Sequence, residues 1–307
     1  MLPRHPLHGL VAATHTPFHA DGSLNLAAIE RQAAHLLSDG VATVFINGTT
    51  GECTSLTLDE RRATAQRWFE VARGTAMKIS VHVGSNCLAD SRALAAHAEQ
   101  LGAISISAFA PSYFKPRDLD QLIAWSAAIA SAAPATPFYF YDIPVFTNVA
   151  LSMPDFFERA PTSIPTLAGL KFSNPDLMAY QLCLAVDGGR FDVAFGCDEW
   201  LLAALTLGGK GGVGSTYNFA APLYLRMMKH LAAGDLASAR SEQLRSAQLV
   251  RLLSRYGFMG AAKATMGLLG VEVGPARLPH ASLSAEQTQR LKADLEAMDF
   301  FRSLRQR

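Results

Sequence analysis

Eight times along the chain, a short run rich in Val, Ile, Ala and Phe is followed by a longer stretch with apolar residues at helical spacing, and this alternation limits the fold more than any other feature. The runs cover residues 9–17, 41–48, 78–85, 103–111, 136–144, 167–173, 191–198 and 211–218. Leu26, Ile29, Ala33, Leu36 and Leu37 mark a helix over 25–38, and Thr57-Leu58-Asp59-Glu60 reads as a capping box opening a helix that runs through Arg73. Further helical patterns cover 90–101 and 118–132. Strands that are apolar along their whole length are buried on both faces, as in a parallel sheet, so the pattern predicts an α/β chain closed into a (β/α)8 TIM barrel. An open doubly wound sheet would carry a Gly-rich dinucleotide turn after its first strand, and His15-Thr16-Pro17 is not one. Beyond the eighth run only helical patterns remain, over 222–232, 236–256, 261–269 and 284–298, with loops at Gly274-Pro275 and Leu278-Pro279. The expected division is a catalytic barrel over residues 1–233 and a C-terminal helical bundle over 234–307. The bundle is too apolar (Leu249, Val250, Leu252, Leu253, Met266, Leu268) to stand alone in water, so it should pack on the barrel or on another subunit.

At 307 residues and 50% hydrophobic, the chain can bury a large core. Its formal net charge of +1 comes with no basic block, which argues against nucleic acid and anionic membranes and favours a small neutral or acidic metabolite. Cys53, Cys87, Cys183 and Cys197 form no CxxC pair, and residues 1–8 hold no apolar signal core, so a cytoplasmic location is expected. No run approaches the roughly 20 apolar residues of a membrane span. The nine histidines form no HExxH or HxH pair, so no metal is expected.

In such a barrel chemistry comes from the C-terminal ends of the strands and the loops that follow. The second run ends in Gly48-Thr49-Thr50-Gly51-Glu52, either an ordinary Gly-flanked turn or a carboxylate site made of two hydroxyls and backbone N–H groups. The fifth ends in Tyr139-Phe140-Tyr141-Asp142-Ile143-Pro144, whose tip tyrosine either packs or carries a proton. The sixth delivers Lys171 between Leu170 and Phe172, just ahead of a turn signal at Asn174-Pro175. A strand-end lysine can snorkel to solvent, whereas one desolvated by apolar neighbours loses its charge more readily and becomes a nucleophile for a ketone. The seventh ends in Gly196-Cys197-Asp198-Glu199, two acids that either favour a helix start or bind hydroxyls. The eighth carries Gly208-Gly209-Lys210-Gly211-Gly212-Val213-Gly214-Ser215-Thr216, which fails as a P-loop because Gly214, not lysine, precedes Ser215. Of the other lysines, Lys78 opens a strand at the opposite rim, Lys115 and Lys210 lie in turns, and Lys229, Lys263 and Lys292 fall in helices.

The motifs GTTGE (Gly48 to Glu52), YDIP (Tyr141 to Pro144), GLKFS (Gly169 to Ser173) and GSTYN (Gly214 to Asn218), in this order and spacing, resemble the pyruvate-dependent class I aldolases of the dihydrodipicolinate synthase and N-acetylneuraminate lyase superfamily. The lyase branch is the more similar, through Asn86-Cys87-Leu88-Ala89-Asp90-Ser91, through Phe109-Ala110-Pro111-Ser112-Tyr113-Phe114-Lys115-Pro116, and through the Asp198-Glu199 pair. The resemblance implies a Schiff-base aldolase cleaving N-acetylneuraminate (sialic acid) to N-acetylmannosamine and pyruvate, a homotetramer without metal or organic cofactor. It implies Lys171 as the Schiff-base lysine, Tyr141 as the proton relay, and Thr49 and Thr50 as the grip on the keto-acid carboxylate. Tyr113 would reach a neighbouring subunit's site, and Ser173, Gly196, Asp198, Glu199 and Ser215 would face sugar hydroxyls. Two positions depart from the superfamily pattern. Phe146 stands where the synthases carry an arginine for an aldehyde-borne carboxylate, and Asn148 replaces a common glycine. The alternatives are another pyruvate aldolase, such as a 2-keto-3-deoxy sugar-acid aldolase or a synthase, and a non-catalytic sugar-acid sensor.

Overall fold

A computed structural model describes residues 5–305; residues 1–4, part of the stretch read for a signal core, and 306–307 lie outside them. Eight parallel strands form a closed barrel in chain order: β1 (Gly9–Ala13), β2 (Thr43–Ile46), β3 (Lys78–His82), β4 (Ser105–Phe109), β5 (Phe138–Asp142), β6 (Leu167–Phe172), β7 (Asp192–Phe195) and β8 (Gly211–Gly214). The helices are α1 (Ala28–Ser38), α2 (Leu58–Ala72), α3 (Leu88–Leu101), α4 (Leu119–Ala130), α5 (Pro144–Thr147), α6 (Met153–Arg159), α7 (Leu177–Ala185) and α8 (Leu201–Thr206). After β8 come α9 (Tyr217–Ala232), α10 (Leu236–Arg255), α11 (Phe258–Leu268), α12 (Ala285–Ala297) and α13 (Phe300–Ser303). The (β/α)8 barrel with C-terminal helices read from the alternation is therefore the fold.

The chain forms two compact units. One comprises Met1–Gly9, Lys78–Cys197 and Ala203–Val213. Its strands β5 and β6 pair with Tyr141 beside Lys171 and Asp142 beside Phe172, and β6 and β7 pair with Lys171 beside Ala194. Gly169 is required there, since a Cβ would lie 1.9 Å from the Asp192 carbonyl oxygen. Phe138, Phe156, Phe157, Phe172 and Phe195 fill its interior, with Phe157 stacked on Phe191 at 4.2 Å.

The other unit comprises Leu10–Met77, Asp198–Leu202 and Gly214–Arg307. The capping box forms as read: the Thr57 hydroxyl accepts from Glu60 N–H and the Glu60 carboxylate accepts from Thr57 N–H, which satisfies two of the donors a helix start leaves open. Leu249, Leu252, Leu253 and Met266 of α10 and α11 are buried.

Most strands are shorter than the runs read for them: the first stops at Ala13 rather than residue 17, and the eighth ends at Gly214 rather than residue 218. Tyr217 and Asn218 already belong to α9, which starts five residues ahead of the Pro222 read as its beginning. Proline inside a helix frees the carbonyl four residues back. That carbonyl, of Asn218, accepts from His35 Nε2 at 3.0 Å, and the backbone kinks at Ala220 (φ −133°). Among the described residues no helix is long and apolar enough to cross a membrane.

Candidate active site

In the first unit, Lys171 rides near the end of β6 between Leu170 and Phe172, both fully buried, and is itself only 3% exposed. It does not snorkel to solvent. Its Nζ lies 4.2 Å above the centre of the Tyr141 ring, as the β5–β6 register requires. Tyr141 is equally buried and packs edge-on to His82 of β3 at 5.5 Å, while His82 Nδ1 meets Ser107 Oγ at 3.1 Å. An amine and a phenol side by side, both shielded from water, can divide nucleophilic attack and proton transfer between them.

Just past β6, Ser173 N–H donates to the Asp142 carbonyl, and its hydroxyl donates to the Gly196 carbonyl at 3.2 Å. Gly196 leaves room for the Ser173 hydroxyl, since a Cβ there would sit 1.9 Å from Ser173 Oγ as it stands. Asp142, one residue beyond the tyrosine, is buried and accepts from Asn174 Nδ2 at 3.0 Å. Burial pushes its carboxyl up to about 6; the Asn174 hydrogen bond opposes this and Asp176 adds to it. The sequence reading passed over Asp142 and His82, although both occupy strand-end positions of the kind it searched.

Tyr113 follows β4, 79% exposed, with its ring edge-on to Phe114 at 5.0 Å. Asn86 Oδ1 holds this loop through Ser112 N–H at 2.7 Å, so the two motifs at Asn86 and Phe109 form one structure. Tyr113 does not join the buried pair. Phe146 on α5 is also exposed, and Asn148 caps that helix at φ 51°, a left-handed conformation that asparagine tolerates nearly as glycine does.

In the second unit, Thr50 is buried and Thr49 half-buried in the turn after β2. Thr50 Oγ1 lies 2.6 Å from Ser215 Oγ, so these hydroxyls of the two motifs meet. Thr16 Oγ1 donates to the Gly51 carbonyl at 2.7 Å and steadies the turn. Asp198 is buried, and its Oδ2 accepts from both N–H and Oγ1 of Thr216, at 2.8 and 2.6 Å. Thr216 Oγ1 continues to Tyr224 and Ser246, so Asp198 sits at the head of a buried hydrogen-bond chain. Gly214 makes room for it, since a Cβ there would lie 1.9 Å from Asp198 Oδ1. Glu199 is half-buried beside it. This unit also holds a second buried lysine, Lys263, which the sequence reading dismissed as helical; it contacts Glu52 and two carbonyls.

A (β/α)8 barrel whose fifth and sixth strands place a buried phenol against a buried amine has the construction of a barrel that works through covalent amine chemistry. The chain belongs to the dihydrodipicolinate synthetase family, whose model matches residues 6–298. It is 39% identical over 302 residues to the N-acetylneuraminate lyase of Gallus gallus, covering 97% of this chain and 98% of that one. The solved N-acetylneuraminate lyase of Proteus mirabilis superposes with a TM-score of 0.93 at 38% identity, over 96% of this chain and 100% of that chain. A Ruminococcus gnavus sialic acid aldolase, solved as a catalytic lysine mutant, gives 0.92 at 26% identity over 100% and 99%. The superfamily resemblance read from the four motifs is borne out.

Proposed function

We propose that this chain is a Schiff-base aldolase that cleaves N-acetylneuraminate to N-acetylmannosamine and pyruvate. One observation carries the reading: Lys171 Nζ stands 4.2 Å over the Tyr141 ring on the neighbouring strand, with both side chains buried. Similarity to the Gallus gallus and Proteus mirabilis lyases over nearly the full length of each chain supports the substrate.

In this mechanism the Lys171 amine adds to the C2 ketone of the open-chain sugar acid, and loss of water gives a protonated imine. Tyr141, left as a phenolate after giving its proton to the departing water, takes the C4 hydroxyl proton, the C3–C4 bond breaks, and its electron pair moves into the imine to give an enamine while N-acetylmannosamine leaves. Protonation of the enamine at C3 and addition of water to the imine then release pyruvate and restore Lys171. Thr49 and Thr50 hold the keto-acid carboxylate, and Ser173, Gly196, Asp198, Glu199 and Ser215 face the sugar hydroxyls. Tyr113 reaches a neighbouring subunit's site in a homotetramer, in keeping with its exposure in the single chain. The protein works in the cytoplasm, with residues 1–233 as the catalytic barrel and 234–307 as the helical bundle.

Incubation with sialic acid should release N-acetylmannosamine and pyruvate, and borohydride reduction with pyruvate should leave an adduct on Lys171. Faster cleavage of 2-keto-3-deoxygluconate would move the assignment to another aldolase. An adduct on any other residue defeats it. Sedimentation equilibrium tests the tetramer, which a purely monomeric enzyme at assay concentration would exclude.

A further inference from the structure

Glu52 closes the turn that carries Thr49 and Thr50, and it does so in an unfavourable backbone conformation, φ 54° and ψ 38°. A left-handed residue with a Cβ costs about 1–2 kcal/mol, so its surroundings must hold it there. The side chain is buried and both carboxylate oxygens are engaged. Oε1 lies 2.6 Å from Lys263 Nζ and Oε2 accepts from the Arg277 N–H at 2.7 Å. Lys263, from α11, also donates to the carbonyls of Thr16 (2.9 Å) and Pro275 (2.7 Å) and stands 4.2 Å over the Phe18 ring. The opposite face of the network is Arg277, which grips Glu60 and the Gly22 and Ser55 carbonyls and lies 4.3 Å from the centre of the same ring.

Lys263 therefore has its ammonium protons committed to three oxygens, which suits an anchor rather than a nucleophile. Nor does the fold by itself call for the pair: buried ion pairs add little net stability, and apolar groups of similar shape serve a core as well or better. What the pair does locally is anchor the residue directly behind the two threonines. The Thr16 carbonyl it binds belongs to the same residue whose hydroxyl holds Gly51.

We infer that Glu52 and Lys263 are positioning residues for the keto-acid carboxylate: the segment after the eighth strand sets the geometry of the Thr49-Thr50 grip without touching substrate. This rests on the proposed role of those threonines. The experiment compares wild type with Glu52→Gln, Lys263→Met and the double variant, with pyruvate as the ligand. Borohydride trapping reports the half-saturating pyruvate concentration and the adduct yield at saturation; kcat and KM for sialic acid and a thermal midpoint accompany them. A displacement of the grip by about 1 Å should raise the half-saturating pyruvate concentration and KM roughly 10- to 100-fold. At saturation the Lys171 adduct should form in wild-type yield and kcat should change little. The double variant leaves no unpaired buried charge, so it should unfold within a few degrees of wild type even if either single variant fails to fold.

Unchanged half-saturation in a folded double variant overturns the inference, and so does a kcat loss as large as the KM gain. A double variant that cannot fold assigns the pair to stability and overturns it too. Absence of any pyruvate adduct in the wild type instead sinks the aldolase reading, and this inference with it.

Discussion

Lys171 and Tyr141 make separable demands on the proposed reaction, because one supplies a covalent bond and the other a proton path. Changing Tyr141 to Phe should lower kcat about 10²- to 10⁴-fold while pyruvate remains trappable by borohydride. Changing Lys171 to Met should abolish both turnover and trapping. Asp142, next in sequence to the tyrosine, lends itself to a pH test. Its carboxyl sits up at about 6 in the folded chain, against the usual value near 4 in the unfolded one. The folded state therefore holds the proton more tightly, and this group's contribution to stability falls as pH rises from about 4 to 6. Asp142→Asn removes that loss, on the order of 2–3 kcal/mol, and still accepts the hydrogen bond from Asn174. Its thermal midpoint should exceed that of wild type by several degrees at pH 7, and the two should converge near pH 4. A constant offset at all pH values would show that Asp142 does not titrate in this window. His15 acts in the opposite sense. Burial first, then the Lys263 ammonium, lowers its imidazole to about 3, so it costs stability as pH falls from about 6.5 toward 3. That term is common to both proteins and drops out of the comparison.

Among the elements, β6 tolerates the least change and the start of α2 a moderate one. Gly169→Ala would place a methyl group 1.9 Å from the Asp192 carbonyl oxygen and 2.7 Å from the Tyr139 ring, forcing β6 away from β7. Overpacking against backbone has no cheap relief, so denaturant titration should show a loss of about 3 kcal/mol or more. Thr57→Ala breaks only the capping box of α2 and should cost about 1 kcal/mol in the same titration. Equal effects from the two would refute the close approach at Gly169. The capping box was readable because its chemistry is local, four residues long and independent of the rest of the chain. The start of α9 was not, because the carbonyl freed by Pro222 is satisfied by His35, 183 positions away from Asn218. The close approaches of Ser173 to Gly196 and of Asp198 to Gly214 were likewise unreadable, because each pair comes from the ends of two different strands.

The helices after the eighth strand lie in the same compact unit as β1, β2 and the Thr49-Thr50 turn. A chain ending at residue 233 would leave Glu52 and Glu60 without Lys263 and Arg277, and an unpaired buried charge alone costs about 3–5 kcal/mol. Such a chain should show no cooperative thermal transition by calorimetry; a wild-type transition would mean the bundle is separable. The eight-fold β-then-α alternation was enough to define the barrel, and the motifs at the strand ends carried the family resemblance, because the one depends on periodicity and the other on residues close together in the chain. Tertiary structure alone decided that Lys171 is buried against Tyr141, that Asp142 is a shielded acid, and that a lysine and an arginine from beyond the barrel anchor Glu52. Those facts depend on which distant groups share a dry space, and desolvation and close approach leave no mark on sequence spacing.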